Sequence, residues 1–155
     1  MTDRVRGLLI TPDGDLLTIQ RIRPRQDPYW VLPGGSVESG EELETALARE
    51  LREELAATAE VHSLLHILDH GGERQYFYLA RAQAWSAGPE NRSGPEFTDP
   101  ERGNYHLQPI HMTVPALTAI SLKPETVARF LLNHVRSGTD LFSLPDLRTS
   151  QSAWA

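Results

Sequence analysis

Three glutamates on a predicted helix are the side chains of this chain best suited to chemistry. Glu50 and Glu54 are four residues apart and share one helical face, and Glu53 lies one step around that face. A helical wheel places Glu54 beside Leu47, at the edge of an apolar stripe where a carboxylate is costly to bury. Like charges that are held close together and half-buried require a positive counter-charge.

Two sources of positive charge are available to these glutamates. Arg49 and Arg52 belong to the same stretch, but the wheel predicts that they point mostly away from the three carboxylates. A divalent cation such as Mg²⁺ or Mn²⁺ prefers carboxylate oxygens as ligands and would supply the charge instead. The plainer alternative is a solvated helix in which Arg49 pairs with Glu53 one turn later and no metal binds.

The spacing of charged residues continues on the N-terminal side of these glutamates. Gly35 is followed after five residues by Glu41, and after seven more by the run Arg49-Glu50-Leu51-Arg52-Glu53-Glu54. This pattern resembles the Nudix box, and the resemblance covers residues 35–57 with a Leu-Pro-Gly approach before them. One position departs from the box, because Ala56 stands where the family usually has glycine. The departure affects the turn that ends the helix more than it affects the chemistry.

The resemblance implies both a fold and a reaction. The fold is α/β, a Nudix-type α/β/α sandwich with a central mixed β-sheet. The reaction is the Mg²⁺- or Mn²⁺-dependent hydrolysis of a pyrophosphate bond in a nucleoside diphosphate linked to another moiety, X. The first expectation is a nucleoside triphosphate, or a modified one, that gives monophosphate and pyrophosphate. Nucleotide sugars, ADP-ribose and dinucleoside polyphosphates are alternatives, and so is a Nudix-like module that senses a nucleotide without cleaving it.

The resemblance also assigns roles to single residues. The catalytic residues are Glu53, Glu50 and Arg49, and Arg49 acts by orienting a carboxylate. Glu41 supports the metal or its waters. The metal ligands are a backbone carbonyl and three carboxylates, from Gly34 or Gly35 and from Glu50, Glu53 and Glu54.

The general base is left open between two parts of the chain. Glu53 is the candidate within the box, and we favour it. Other Nudix-like enzymes take the base from a distant loop, and residues 85–103 form a long predicted loop with Gly, Pro and Ser. The acidic candidates there, for which ordinary loop solubility is the alternative, are Glu96, Asp99 and Glu101.

Further candidates for substrate binding lie outside the box. Arg21, Arg23 and Arg25 precede the strand that leads into the glycines, where they either meet substrate phosphates or face solvent. Three aromatic residues of predicted strands either stack on a base or belong to the core: Trp30, Tyr76 and Tyr78. Three histidines recur every four residues along a strand, where this spacing keeps one face: His62, His66 and His70.

The composition narrows the class of protein. The 155 residues suit one domain, and the net charge of −6 argues against binding a nucleic acid polymer. Cysteine is absent, so thiol chemistry is excluded. Neither a signal segment nor a membrane-spanning stretch is found, which predicts a cytoplasmic protein without a membrane partner. The expected partner is a nucleotide-like small molecule, and a homodimer is an open alternative.

The predicted elements place the glutamate helix in the middle of a strand-rich chain. A hairpin turn is expected at residues 11–15, and a capping box of Ser39 and Glu42 starts the glutamate helix. Residues 1–142 form the domain, and residues 143–155 are expected to be an irregular tail. The predicted strands are 4–10, 16–22, 29–32, 61–68, 76–84 and 104–112, and the predicted helices are 40–56, 114–120 and 124–135.

Overall fold

The computed structural model describes residues 1–86 and 104–152. Its strands are β1 (Thr2–Ile10), β2 (Leu16–Ile22), β3 (Tyr29–Val31), β4 (Gly34–Ser36), β5 (Thr58–His70), β6 (Glu73–Ala84), β7 (Asn104–Ile110) and β8 (Leu122–Lys123). Its helices are α1 (Leu43–Leu55), α2 (Val114–Thr118), α3 (Glu125–Ser137) and α4 (Leu147–Ser152), with a 3₁₀ turn at Leu141–Ser143. Each predicted strand and helix is present, with shifts at the ends.

The strands form one mixed sheet in the order β5-β6-β1-β2-β3-β8, with β4 added to β1 and β7 added to β2. The pairs β1–β6 and β3–β8 are parallel, and the other pairs are antiparallel. Side chains alternate between the two faces along each strand. In β1, Val5 and Leu9 belong to the core beneath α1, whereas Leu8 belongs to the core beneath α2 and α3. The α/β/α sandwich is therefore confirmed.

The two central strands separate along most of their length. β1 and β2 pair only at Ile10 and Leu16, next to the predicted hairpin turn. Farther along, β3 pairs with β2 while β4 pairs with β1, so the chain crosses from one to the other at residues 32–33. The N–H of Gly7 donates to the carbonyl of Pro33 at 2.8 Å and holds this crossing against β1. Because of this crossing, the two glycines of β4 lie on the face of the sheet that α1 covers.

The start of α1 differs from the prediction. The helix begins at Leu43 rather than at residue 40, and Glu42 precedes it in an extended conformation without a side-chain capping bond. Gly40 has a φ of +78°, which a right-handed helix excludes. A different bond forms one residue earlier than the predicted Ser39–Glu42 pair: the side chain of Glu41 accepts the N–H of Glu38 at 3.0 Å. The predicted capping box is therefore wrong.

The C-terminal segment is more regular than the irregular tail that was expected. After the 3₁₀ turn, which lies mostly within the predicted domain, the segment contains α4, and α4 packs against β5. Asp146 accepts the N–H of Leu64 at 3.0 Å, and Arg148 donates to the carbonyl of His62 at 2.9 Å. Arg148 also donates to Glu44 of α1 at 3.0 Å, so the segment joins the sheet to the glutamate helix.

In the described part of the chain, no helix has the length and apolar character needed to cross a membrane. The cytoplasmic location and the homodimer stay predictions.

Candidate active site

The carboxylates of α1 lie directly over the glycine turn of β4. A Cβ atom added to Gly35 would lie 2.4 Å from Cδ of Glu50 and 2.5–2.6 Å from its two carboxylate oxygens. Gly34 has a φ of +149°, and a Cβ added there would lie 1.9 Å from the carbonyl oxygen of Val5. Its N–H donates to Oε1 of Glu54 at 2.7 Å. Only glycine permits this close contact between the turn and the helix.

Arg49 lies at the centre of the acidic residues, so the prediction that it points away from them is wrong. It donates to both carboxylate oxygens of Glu41, at 2.9 and 3.0 Å, and to Glu50 at 3.1 Å. Its guanidinium lies 3.5 Å from Oε2 of Glu53 and 3.8 Å from Glu38. Arg52 is exposed, as the wheel predicts. Arg49 thus organises four carboxylates at once.

The Arg49–Glu41 pair has a clear electrostatic effect. The two hydrogen bonds from Arg49, together with the backbone N–H of Glu38, lower the pKa of Glu41 to about 2. The pKa of Arg49 is raised above its ordinary value, with the hydrogen bonds to Glu41 as the largest cause. The pair therefore stays ionised at neutral pH and fixes the segment before α1 against the helix.

Glu54 is the buried member of the acidic group, as the helical periodicity predicts. It is only 8% exposed. The half-buried Arg6 on β1 interacts with it electrostatically, and its guanidinium donates to the carbonyl of Leu32 at 3.3 Å. Burial lowers the pKa of Arg6, and the negative charge of Glu54 opposes that shift. Sequence reasoning missed Arg6, because a single arginine in a strand gives no signal of its burial.

The oxygen donors around the glycine turn fit a hard divalent cation in their chemistry. Four carboxylates surround Arg49, so one guanidinium leaves them with an excess of negative charge. In the described ranges no three Asp, Glu or His side chains already converge as a metal site. Glu50 is directed at Arg49 and Glu54 at the N–H of Gly34, so these side chains would have to turn to share one ion.

Two of the three predicted phosphate-binding arginines contact the same aromatic ring. Arg21 lies between Tyr105, with its guanidinium carbon 4.5 Å from the ring centre, and Tyr29, at 5.8 Å. Arg21 also donates to the hydroxyl of Tyr105. Arg23 lies 6.0 Å from the ring centre of Tyr29, and Arg25 follows in the exposed turn after β2.

The predicted aromatic candidates lie on the two faces of the sheet. Tyr78 is 2% exposed and belongs to the core beneath α1. Trp30 packs against the core on the other face, where its Nε1 donates to Gln108. Tyr76 packs against the same core as Tyr78 and lines with it a depression of about 470 Å³ beside the start of α1, together with Leu43 and Arg148. The structure therefore does not bring Tyr76 into the acidic cluster.

The three histidines of β5 lie along a strand with three irregular steps in its pairing, at residues 58–59, 61–63 and 64–66. His62 packs edge-on against Phe142, with ring centres 5.0 Å apart. His66 stacks on Phe130, with ring centres 6.5 Å apart, and His70 is exposed at the end of the hairpin. The candidate distal bases Glu96, Asp99 and Glu101 lie outside the described residues.

Comparisons with known proteins give the family. The NUDIX domain model matches residues 1–112. A MutT NUDIX hydrolase from Burkholderia pseudomallei is 28% identical with a TM-score of 0.55, over 86% of this chain and 97% of that chain. A structure from a study of MutT from Aliivibrio salmonicida and Vibrio cholerae has a TM-score of 0.61 at 20% identity, over 85% and 96% of the two chains.

A NUDIX hydrolase from Nitrosomonas europaea has a TM-score of 0.63 at 16% identity, over 93% of this chain and 95% of that chain. These last two likenesses concern the fold alone. No curated protein matches the sequence. The family hydrolyses nucleoside diphosphate derivatives and generally uses divalent cations. Because the family model covers the glycine turn, the glutamate helix and most of the sheet, this chain belongs to the NUDIX family and is a Nudix hydrolase.

Proposed function

We propose that this hydrolase depends on Mg²⁺, or on Mn²⁺, and cleaves a pyrophosphate bond in a nucleoside diphosphate linked to a moiety X. Our first choice of substrate is a nucleoside triphosphate or a modified one, which gives a monophosphate and pyrophosphate. The observation that carries the proposal is the contact of Glu50 and Glu54 with the turn at Gly34 and Gly35, beside an excess of carboxylate charge.

The proposal assigns metal binding and the positioning of the carboxylates to different residues. Glu50, Glu53 and Glu54, with a carbonyl of Gly34 or Gly35, hold the cation. When bound, the cation neutralises charge on the phosphate oxygens and lowers the pKa of the attacking water. Arg49 keeps the carboxylates in position through its bonds to Glu41 and Glu50.

Glu53 is our choice for the general base. Its side chain is 39% exposed, and it faces Arg49 at 3.5 Å without the short bonds that hold Glu41. It therefore remains accessible to a water molecule. Charge-neutral replacement of Glu96, Asp99 and Glu101, one at a time, tests the distal alternatives, because removal of the true base flattens the acidic limb of the pH profile, where kcat rises with pH.

The decisive experiment is a nucleotide panel assayed with and without Mg²⁺ for release of phosphate or pyrophosphate. We expect Glu53→Gln and Glu54→Gln each to reduce metal-dependent turnover at least about 100-fold, because each removes a charged ligand. Glu54→Gln keeps an oxygen that accepts the N–H of Gly34, so circular dichroism should show the same fold. Glu60→Gln, on the exposed part of β5, is the matched control with normal turnover.

Full activity in either site variant contradicts the proposed roles. The same panel separates our first choice of substrate from nucleotide sugars, ADP-ribose and dinucleoside polyphosphates, because each gives different products. The bifunctional NMN adenylyltransferase/ADP ribose pyrophosphatase from Francisella tularensis shares this fold at 17% identity, which keeps ADP-ribose on the panel.

A further inference from the structure

The turn between β2 and β3 contains a strained arginine. The N–H of Gln26 donates to the carbonyl of Arg23 at 3.3 Å, which closes a four-residue turn with Pro24 second and Arg25 third. Arg25 has a φ of +63°. The third position of such a turn favours glycine or asparagine, because other side chains are strained there. An arginine in this place costs stability, and nothing in the packing of the turn requires it, since Arg25 is exposed.

The same turn presents positive charge in an otherwise acidic protein. Arg23, Pro24, Arg25 and Gln26 line a solvent-open depression of about 640 Å³. The Nε atoms of Arg21 and Arg23 are buried and have no hydrogen-bond partner among the residues that the structure describes. Guanidinium groups are suited to phosphate oxygens, and it is Arg25, in the exposed part of the turn, that presents one to solvent.

A line of cationic groups connects this turn with the proposed metal site. Arg21 and Tyr29 are paired across β2 and β3, and Tyr105 pairs with Arg21 on the other side. Tyr105 belongs to the core beneath α1, so this row lies on the same face of the sheet as the glutamate helix. The five residue steps from Tyr29 to Gly34 can span at most about 17 Å. Arg6, which interacts with Glu54, also interacts electrostatically with Arg21.

We propose that the Arg23–Gln26 turn binds a phosphate of X and makes the enzyme prefer substrates in which X is anionic over substrates in which X is an uncharged sugar. This inference rests on the proposed function, because it concerns the substrate of that same site. Arg23 and Arg25 contact the phosphate. Arg21 is a positioning residue, since Tyr29 and Tyr105 hold it on both sides. The strain at Arg25 is retained because glycine would lose the charge.

The test uses the unusual backbone of Arg25. Arg25→Gly should raise Tm by a few degrees, because glycine adopts a positive φ without strain. It should also weaken the binding of magnesium tripolyphosphate, measured by calorimetry, about tenfold. Arg25→Lys should keep the affinity within about threefold of the parent protein, because it keeps the charge. The matched control is Ala56→Gly, which relieves the other left-handed non-glycine residue of the described chain, raises Tm and leaves tripolyphosphate binding unchanged.

Kinetics supply the second arm of the test. For Arg25→Gly, KM for a nucleoside triphosphate should rise about tenfold with little change in kcat, whereas KM for the nucleoside diphosphate glucose with the same base should not change. Unchanged tripolyphosphate binding, or an equal rise of both KM values, overturns the inference. If the parent protein hydrolyses no substrate on the panel, the proposed function fails, and the calorimetric comparison still decides whether the turn binds phosphate.

Discussion

Single side chains show where sequence reasoning succeeds and where it stops. The spacing of Glu50, Glu53 and Glu54 predicts their shared side of α1, because helical periodicity is a local property. The predicted direction of the Arg49 side chain was wrong, because a helical wheel contains no information about the segment before the helix. That segment brings Glu38 and Glu41 against Arg49, and their charge attracts its guanidinium.

Gly35 gives the sharpest test at this level. We expect Gly35→Ala to reduce kcat about 100-fold, because its Cβ would overlap the carboxylate of Glu50 and displace it by roughly an ångström. The free energy of unfolding should fall by less than about 1 kcal/mol, since the displaced atoms end a flexible side chain. Steady-state kinetics and thermal unfolding measure the two effects separately.

A double-mutant cycle supplies the control. Glu50→Ala removes the carboxylate that the new methyl group would meet, so Gly35→Ala should cost little further activity in that background. If the two losses are additive, Gly35 acts through something other than Glu50, and the proposed contact between the turn and the helix is not what matters.

The ends of α1 depend on more than its own sequence. The capping box predicted an early start, but the left-handed Gly40 and the bond from Glu38 to Glu41 displace it to Leu43. The C-terminal end follows the family pattern in its backbone although not in its residue. Ala56 has a φ of +48°, and the N–H of Ala57 donates to the carbonyl of Leu51 at 3.1 Å. The chain thus keeps a glycine-type cap without the glycine.

This cap leads to a prediction about stability. Ala56→Gly should raise the free energy of unfolding by about 1 kcal/mol, because glycine adopts the left-handed conformation without the steric cost of a Cβ. For a protein of this size the corresponding rise in Tm is about 2–4 °C. Turnover should not change, since Ala56 is exposed and glycine would keep the left-handed backbone that Ala56 already has. An unchanged or lower Tm would show that the turn is not strained.

The assembly of the complete fold depends on contacts between distant residues, which local patterns do not contain. The strands and the two-sided core follow from alternation and could be predicted. The separation of β1 from β2 could not be predicted. It arises because β3 pairs with β2, and β4 pairs with β1, beyond the point where β1 and β2 pair with each other. The docking of the C-terminal segment could not either, since Asp146 and Leu64 are 82 residues apart.

The C-terminal segment should give the protein an acid-sensitive component of stability. The hydrogen bonds from Arg148, followed by the backbone N–H of Leu64, lower the pKa of Asp146 to about 2. A carboxylate whose pKa is lower in the folded state stabilises it above the unfolded pKa, near 3.8, and that contribution is lost as the pH falls through about 2. Asp146→Asn should therefore lower the free energy of unfolding at neutral pH by about 1–2 kcal/mol.

The difference between parent and Asp146→Asn should narrow by about 1 kcal/mol as the pH falls from 5 to 3, as urea unfolding can measure. Glu41 also has a lowered pKa, but it is present in both proteins and cancels in the comparison. Asp69→Asn is the matched control, because the Asp69–Arg74 pair is exposed and contributes little. A difference that stays constant over this range would mean that Asp146 holds the segment by hydrogen-bond geometry alone and not by its charge.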